Sequence, residues 1–330
     1  MEAVNNFNFI LKSFNIKAEC IDYQSVNNYF FYDLRLNSST RVKDIIKYGD
    51  ELSLSLKTPC KPSVKILHQQ GIVRLEFVKS TQYNLQLLDL FNQASDKPKG
   101  DLVCLLGQQV DGTNMWMDLS KNPHMLVAGT TGSGKSTLLH NIIANALKFN
   151  DARVFLVDPK NIEFGAYINK FSNVKTYHDY NSCVQMISTL LELMEGRYHA
   201  MASGKSLLFR PQLVIIDEFA DLIMQDHNHI LYNNLCKLAQ KCRAAKIHII
   251  LSTQRPSVNI INGEIKANFP ARIACKVSSY VDSKIILDTS GAENLLGKGD
   301  ALIKDSYRTC ERFQVANITP SEIINHFASN

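Results

Sequence analysis

The chain has 330 residues, 45% hydrophobic and 20% charged, which is more than one ordinary domain needs, supplies a sizeable core and excludes an intrinsically disordered protein. Its formal charge of +5 is a small excess of 36 Lys and Arg over 31 Asp and Glu, so composition alone selects neither a nucleic-acid nor a membrane partner. The eight cysteines are scattered without zinc spacing, no apolar run reaches transmembrane length and MEAVNNFNF is no signal peptide, so the expectation is a reduced, cytoplasmic chain without direct membrane insertion.

Residues 1–95 read as a small α/β domain. KAECIDYQ and NYFFYDLRL are rich in β-branched and aromatic residues, and VKILHQQGIVRLEFV predicts two strands joined at a turn containing Gly71. Between them, RVKDIIKYGDELSLSL predicts a helix with Val42, Ile45, Ile46 and Leu52 on one face. No catalytic grouping stands out here, so the segment reads as a scaffold or interaction domain. The Pro, Gly and charge of SDKPKGD, Ser95 to Asp101, place the boundary there, with a second domain over 96–330.

In that second domain short apolar runs alternate with helical segments: HMLVAG, ARVFLVD, QLVIIDE, KIHIILST and ARIACKV. Runs apolar on both faces predict an α/β fold with a mostly parallel sheet covered by helices on each side.

GTTGSGKST fits G-x-x-x-x-G-K-[ST] in full, behind a predicted strand and ahead of the helical run TLLHNIIANALKF. Gly129, Thr130, Thr131, Gly132, Ser133, Gly134, Lys135, Ser136 and Thr137 are therefore candidate phosphate-loop residues. Glycines let backbone amides turn toward phosphates, and the helix N-terminus adds partial positive charge. Lys135 is expected to reach the β- and γ-phosphates and the Ser136 hydroxyl to bind Mg²⁺, which makes ATP and Mg²⁺ the expected cofactors.

LVIIDE ends an apolar strand in two acids. Asp217 is the candidate to hold Mg²⁺ through its water shell, and Glu218 the candidate general base. KIHIILST leads into Gln254, a candidate sensor of the γ-phosphate, because ligands of open α/β sheets bind beyond the carboxyl ends of the strands. Asp158 ends ARVFLVD in an equivalent place, or is a turn or capping acid.

PHMLVAGTTGSGKST, VDPK, LVIIDEFADLIM, LAQKCRAAKIHIILSTQRPSVNIINGEIKANFPARIACKVSS and GAENLLGKGDALI together resemble successive motifs of the FtsK/SpoIIIE DNA translocases. The resemblance is dense from Pro123 to Ile303 and weaker over the N-terminal domain, which resembles the α-domain preceding that family's motor. It implies a RecA-like P-loop motor that forms a homo-oligomer, a hexameric ring around double-stranded DNA. It further implies that Arg243 stabilises the transferred phosphoryl in a neighbouring subunit. Arg255, Lys266 and Lys284 match positions that grip the DNA backbone, with binding expected to be sequence-independent and salt-dependent. Over the length given, the resemblance implies the motor alone, without the family's membrane anchor or winged-helix domain.

Two positions depart from the family pattern. Tyr280 stands where a basic residue is usual, and Lys246 where Gly is usual, so the lysine must either adopt a left-handed conformation or end its helix differently. Two other functions compete with DNA translocation: an ATPase of this type that energises protein secretion, and a nucleotide-gated assembly factor that moves nothing.

Overall fold

A computed structural model describes residues 1–80, 83–204 and 208–328. At the N-terminus, helix α1 (Glu2–Ser13) packs on an antiparallel sheet of β1 (Ala18–Val26), β2 (Tyr29–Leu36), β3 (Ser63–Leu67) and β4 (Ile72–Val78), in the order β1-β2-β4-β3. Phe7 and Leu11 of the helix join Leu34, Leu75 and Phe77 in its core, and the Phe7 ring stacks on Tyr32 at 3.9 Å. The β3–β4 hairpin forms as its sequence predicts, with Gly71 at φ 65° in the turn.

The stretch expected to be one helix is two, α2 (Val42–Lys47) and α3 (Gly49–Leu56), broken at Tyr48. The break resets the helical phase. Ile45 and Leu52 remain buried, but Ile46 is 55% exposed and leaves the predicted apolar face.

Helix α4 (Leu87–Gln93) inserts Leu87, Leu90 and Phe91 into the larger core, and Leu87 N donates to Asn317 O at 2.9 Å. The division between the two cores therefore falls ahead of Leu87. The Pro- and Gly-containing stretch from Ser95 lies inside the larger unit as a surface connection.

Ten strands form the large sheet: β5 (Val103–Gln109), β6 (Asn114–Asp118), β7 (His124–Ala128), β8 (Arg153–Val157), β9 (Val174–Tyr177), β10 (Gln212–Ile216), β11 (Ile247–Thr253), β12 (Ala271–Cys275), β13 (Asp300–Lys304) and β14 (Glu311–Val315). Their order is β6-β5-β14-β13-β12-β7-β11-β10-β8-β9. The span from β12 to β9 is parallel and takes in all five predicted apolar runs, while β13, β14, β5 and β6 extend it antiparallel.

Both faces are covered. Along β7, Met125 and Val127 enter one core while Leu126 and Ala128 enter the other, the period-2 alternation of a strand buried on two sides. Helices α4, α5 (Lys135–Phe149) and α11 (Pro320–Phe327) contribute to the first core. Helices α6 (Tyr180–Ala202), α7 (Phe219–Gln225), α8 (Ile230–Lys241), α9 (Gly263–Asn268) and α10 (Tyr280–Leu287) contribute to the second.

Two polar devices fix the geometry. Asn145 of α5 accepts from Leu105 N at 2.7 Å and donates to Leu105 O at 3.2 Å, and Asn150 does the same with Val103, so the helix behind the phosphate loop is stitched to β5. Arg312 forks onto Asp300 at 2.8 and 2.6 Å with both side chains buried, and its third nitrogen donates to Ser63 Oγ at 3.0 Å, joining the large sheet to the N-terminal one. Among the described residues, no helix is long and apolar enough to cross a membrane.

Candidate nucleotide-binding site

The loop from Gly129 to Gly134 connects the carboxyl end of β7 to the N-terminus of α5. Gly132 and Gly134 have φ of 75° and 101°, conformations that L side chains rarely adopt. The stretch Gly297-Lys298-Gly299, all at positive φ, lies against the loop: Lys298 N donates to Gly132 O at 3.2 Å and Gly299 N to Ser133 O at 2.9 Å. A Cβ on Gly134 would stand 2.2 Å from Gly299 N, so the approach of the two backbones itself requires glycine there.

Lys135 is buried at the first position of α5. Its ammonium donates to Asp217 Oδ1 and, at 2.9 Å, to Ser252 Oγ, which in turn donates to Asp217 Oδ1 at 2.6 Å. Asp217 and Glu218 directly follow β10, as expected. Glu218 is 3% exposed and sits in the left-handed region at φ 45° and ψ 57°. It accepts from Thr253 Oγ1 at 2.8 Å and from Gln254 N at 3.2 Å. The Gln254 side chain accepts from Thr131 Oγ1 at 3.1 Å, so the expected sensor touches the phosphate loop.

Ser136 donates to Glu163 Oε2 at 2.8 Å. The other oxygen of Glu163 lies 2.8 Å from His140 Nε2, and His140 Nδ1 lies 2.9 Å from the Tyr167 hydroxyl. Burial alone would raise the Glu163 carboxyl; hydrogen bonding to His140 and Ser136 and the charge of Lys135 bring it below the usual carboxylate range instead. Asp158 accepts from the backbone of Lys160, Glu163 and Phe164, which makes it a turn acid. A cavity of about 740 Å³ opens over the loop, lined also by Tyr83, Leu85, Ile162, Lys298, Val315 and Asn317, a size that suits a nucleotide.

The basic residues differ in where they stand relative to this centre. Arg243 is exposed in the turn before β11, at the end of the parallel strands opposite the phosphate loop; the seven residues of that strand separate the two by roughly 20 Å. Lys246 takes the left-handed alternative at φ 52° and pairs with Asp101 at 3.0 Å. Arg255 is exposed just beyond Gln254, on the loop side of the sheet. Lys266, in contrast, is tied to Asp288 at 2.9 Å, an acid that Arg272 and Lys304 also contact. Burial pulls Asp288 upward, but these three cations hold it well below the usual carboxylate range. Lys284 is exposed on α10 with its ammonium 5.3 Å from the Tyr280 ring, so the residue that departs from the basic pattern still presents a cation beside it.

Three participants escaped the sequence reading. Ser252 lies inside an apolar run, Lys298 in a glycine-flanked stretch given no role, and Glu163 carries no local motif; only the acid after VDPK could have suggested the last.

The model of the FtsK/SpoIIIE family matches residues 87–207 and 202–258. The DNA translocase FtsK of Leptospira interrogans serogroup Icterohaemorrhagiae serovar copenhageni (strain Fiocruz L1-130) is 34% identical over 319 residues, covering 89% of this chain and 34% of that protein. The DNA translocase SftA of Bacillus subtilis (strain 168) is 34% identical over 318 residues, covering 90% and 33%. The chain thus spans about a third of the length of these curated relatives. Among solved structures, the pCW3 conjugation coupling protein TcpA, in monomer form with ATPγS, superposes with a TM-score of 0.67 at 22% identity over 98% of this chain and 99% of that one. The cytoplasmic domain of the type VII secretion ATPase EccC of Thermomonospora curvata gives 0.66 at 18% over 76% and 35%. Both likenesses concern the fold.

Proposed function

Because the chain belongs to the FtsK/SpoIIIE family, we propose that it hydrolyses ATP with Mg²⁺ to move double-stranded DNA, as a ring-shaped hexamer. The observation that carries hydrolysis is the convergence of the phosphate loop, Lys135, Asp217 and Glu218 at one end of the parallel strands, with Gln254 bridging Glu218 to the loop. A binding switch has no need of a second buried acid anchored beside the metal-holding one.

Ser136, Asp217 and Glu163 offer hydroxyl and carboxylate oxygens, the donor type that Mg²⁺ takes, and Ser136 and Asp217 would hold it. When bound, the cation neutralises charge on the phosphates. Lys135 exchanges Asp217 for phosphate oxygens on nucleotide entry. Glu218 accepts a proton from the attacking water, and Gln254 reports the γ-phosphate to it.

Arg243 supports a ring. It is too far from its own loop to reach the phosphates, so its catalytic use requires a neighbouring copy whose loop faces it. Of the three residues read as DNA contacts, Arg255 and Lys284 are exposed and available to duplex phosphates, while Lys266 is committed within its own subunit and would contribute to binding only by leaving Asp288. We read the setting as a mobile element or virus, in conjugation, packaging or segregation.

The deciding measurement is ATPase rate against linear duplex DNA at increasing salt. The rate is expected to rise strongly with DNA and to lose that stimulation as salt displaces the phosphate contacts. A low-salt rate indifferent to DNA would overturn the translocase reading and favour protein secretion.

A further inference from the structure

We propose that Glu163 is a positioning residue of the cation site: it accepts the hydrogen bond of the Ser136 hydroxyl and so turns the Ser136 lone pairs toward the Mg²⁺-nucleotide, an assignment that rests on the nucleotide reading above. A serine hydroxyl has one proton and two lone pairs, and where the proton goes decides where the lone pairs face. Here the acceptor is Glu163 Oε2, at 2.8 Å. Before nucleotide enters, Asp217 Oδ1 receives Lys135 and Ser252 and not Ser136.

Glu163 is held from behind with the same care. His140 follows Ser136 by four residues and therefore lies on the same face of α5. The Tyr167 hydroxyl, on a fully buried side chain, can donate to His140 Nδ1, which leaves the proton on Nε2 to be donated to Glu163 Oε1. Behind the side chain, Glu163 N donates to Asp158 Oδ2 at 2.7 Å, so the backbone is fixed too. A chain from Tyr167 through His140 and Glu163 to Ser136 therefore ends on the hydroxyl that would meet the cation. Partners of this kind typically change metal affinity 10- to 100-fold when removed.

A glutamate that only anchored its loop would alter stability, and nucleotide affinity with and without metal alike. The test is titration of the full chain with a fluorescent, non-hydrolysable ATP analogue across a Mg²⁺ series and in EDTA, with melting temperature followed in parallel. For Glu163→Gln we expect the Mg²⁺ concentration for half-maximal binding to rise about tenfold or more, while affinity in EDTA stays within about twofold of wild type. Tyr167→Phe is expected to shift the same midpoint in the same direction by less, and it carries the test if Glu163→Gln does not fold. An unchanged Mg²⁺ midpoint in a folded variant would overturn the proposal, as would equal loss in Mg²⁺ and in EDTA. If Lys135→Ala binds the analogue as wild type does, the nucleotide reading itself fails, and the two failures are thereby told apart.

Discussion

The hydroxyl of Thr253 donates to Glu218 Oε1 across 2.8 Å, tying the acid at the end of β10 to the last residue of β11. Glu218 needs such a tether. Its left-handed backbone costs a non-glycine residue on the order of 1 to 2 kcal/mol, and strain of this kind persists only where the surroundings over-determine it. The donor strand leads directly into Gln254, whose side chain meets Thr131, so one short path links the phosphate loop, the proposed sensor Gln254 and the proposed base Glu218.

Thr253→Val keeps the shape of the side chain and deletes the hydroxyl. A hydrogen bond to a charged group contributes about 1.5 to 3 kcal/mol, so the turnover number is expected to fall roughly 10- to 100-fold as Glu218 loses its orientation. Nucleotide affinity should change little, because Thr253 holds Glu218, the proposed base, and does not face the phosphates. Comparing single-turnover rates with analogue binding checks this, and an affinity loss equal to the rate loss would contradict it.

The two left-handed glycines of the phosphate loop should respond differently to Ala. At Gly132 a Cβ meets nothing within 4 Å, so Gly132→Ala carries only the backbone cost of about 1 to 2 kcal/mol. At Gly134 the same Cβ stands 2.2 Å from Gly299 N and 2.5 Å from Gly299 Cα, and backbone cannot yield cheaply. Gly134→Ala is expected to abolish analogue binding, while Gly132→Ala weakens it by roughly 5- to 30-fold. Equal behaviour of the two variants would show that the contact with Gly299 is not what shapes the loop.

The centre was legible wherever its parts are contiguous in sequence. Gly129 to Thr137 and the Asp217-Glu218 pair lie on single turns whose geometry follows from local chemistry. Ser252 and Glu163 were not legible, because each gains its role from a partner far along the chain: Lys135 lies 117 residues from Ser252, and Ser136 lies 27 from Glu163. The same distinction holds for the fold. The apolar runs announced the parallel strands, but the four antiparallel strands are read only once they pair, and the single helix expected around Ile46 failed because periodicity does not register the break at Tyr48.

Arg243 stands at the end of the parallel strands opposite its own phosphate loop. In a ring whose sites lie between subunits, Arg243→Ala should bind ATP normally and hydrolyse it about 10³- to 10⁵-fold more slowly. Mixed with Lys135→Ala protein, it should regain activity, since some interfaces then combine an intact loop with an intact arginine. ATPase assays on mixtures at several ratios, and on wild type across protein concentration, measure this directly. Mixtures that remain inactive would place the arginine outside the reaction.

Glu76 is expected to give the joint between the small and large sheets a pH dependence. It lies on β4 opposite Ser63, is 5% exposed and neighbours Arg312 of the large sheet; burial lifts its carboxyl to about 7, against the smaller downward pull of Lys65, Arg312 and Arg74. Unfolded, the same group titrates near 4.5. Between these values the folded chain holds the proton that the unfolded chain has released, so the Glu76 contribution to stability falls as pH rises through the window and is flat outside it. The full effect is roughly 3 kcal/mol. Glu76→Gln cannot ionise and should lose this slope, being more stable than wild type at pH 8 by that amount, with a smaller gap at pH 5. Urea midpoints of both proteins at the two pH values test the prediction, and a stability difference independent of pH would mean that Glu76 is already ionised in the folded chain.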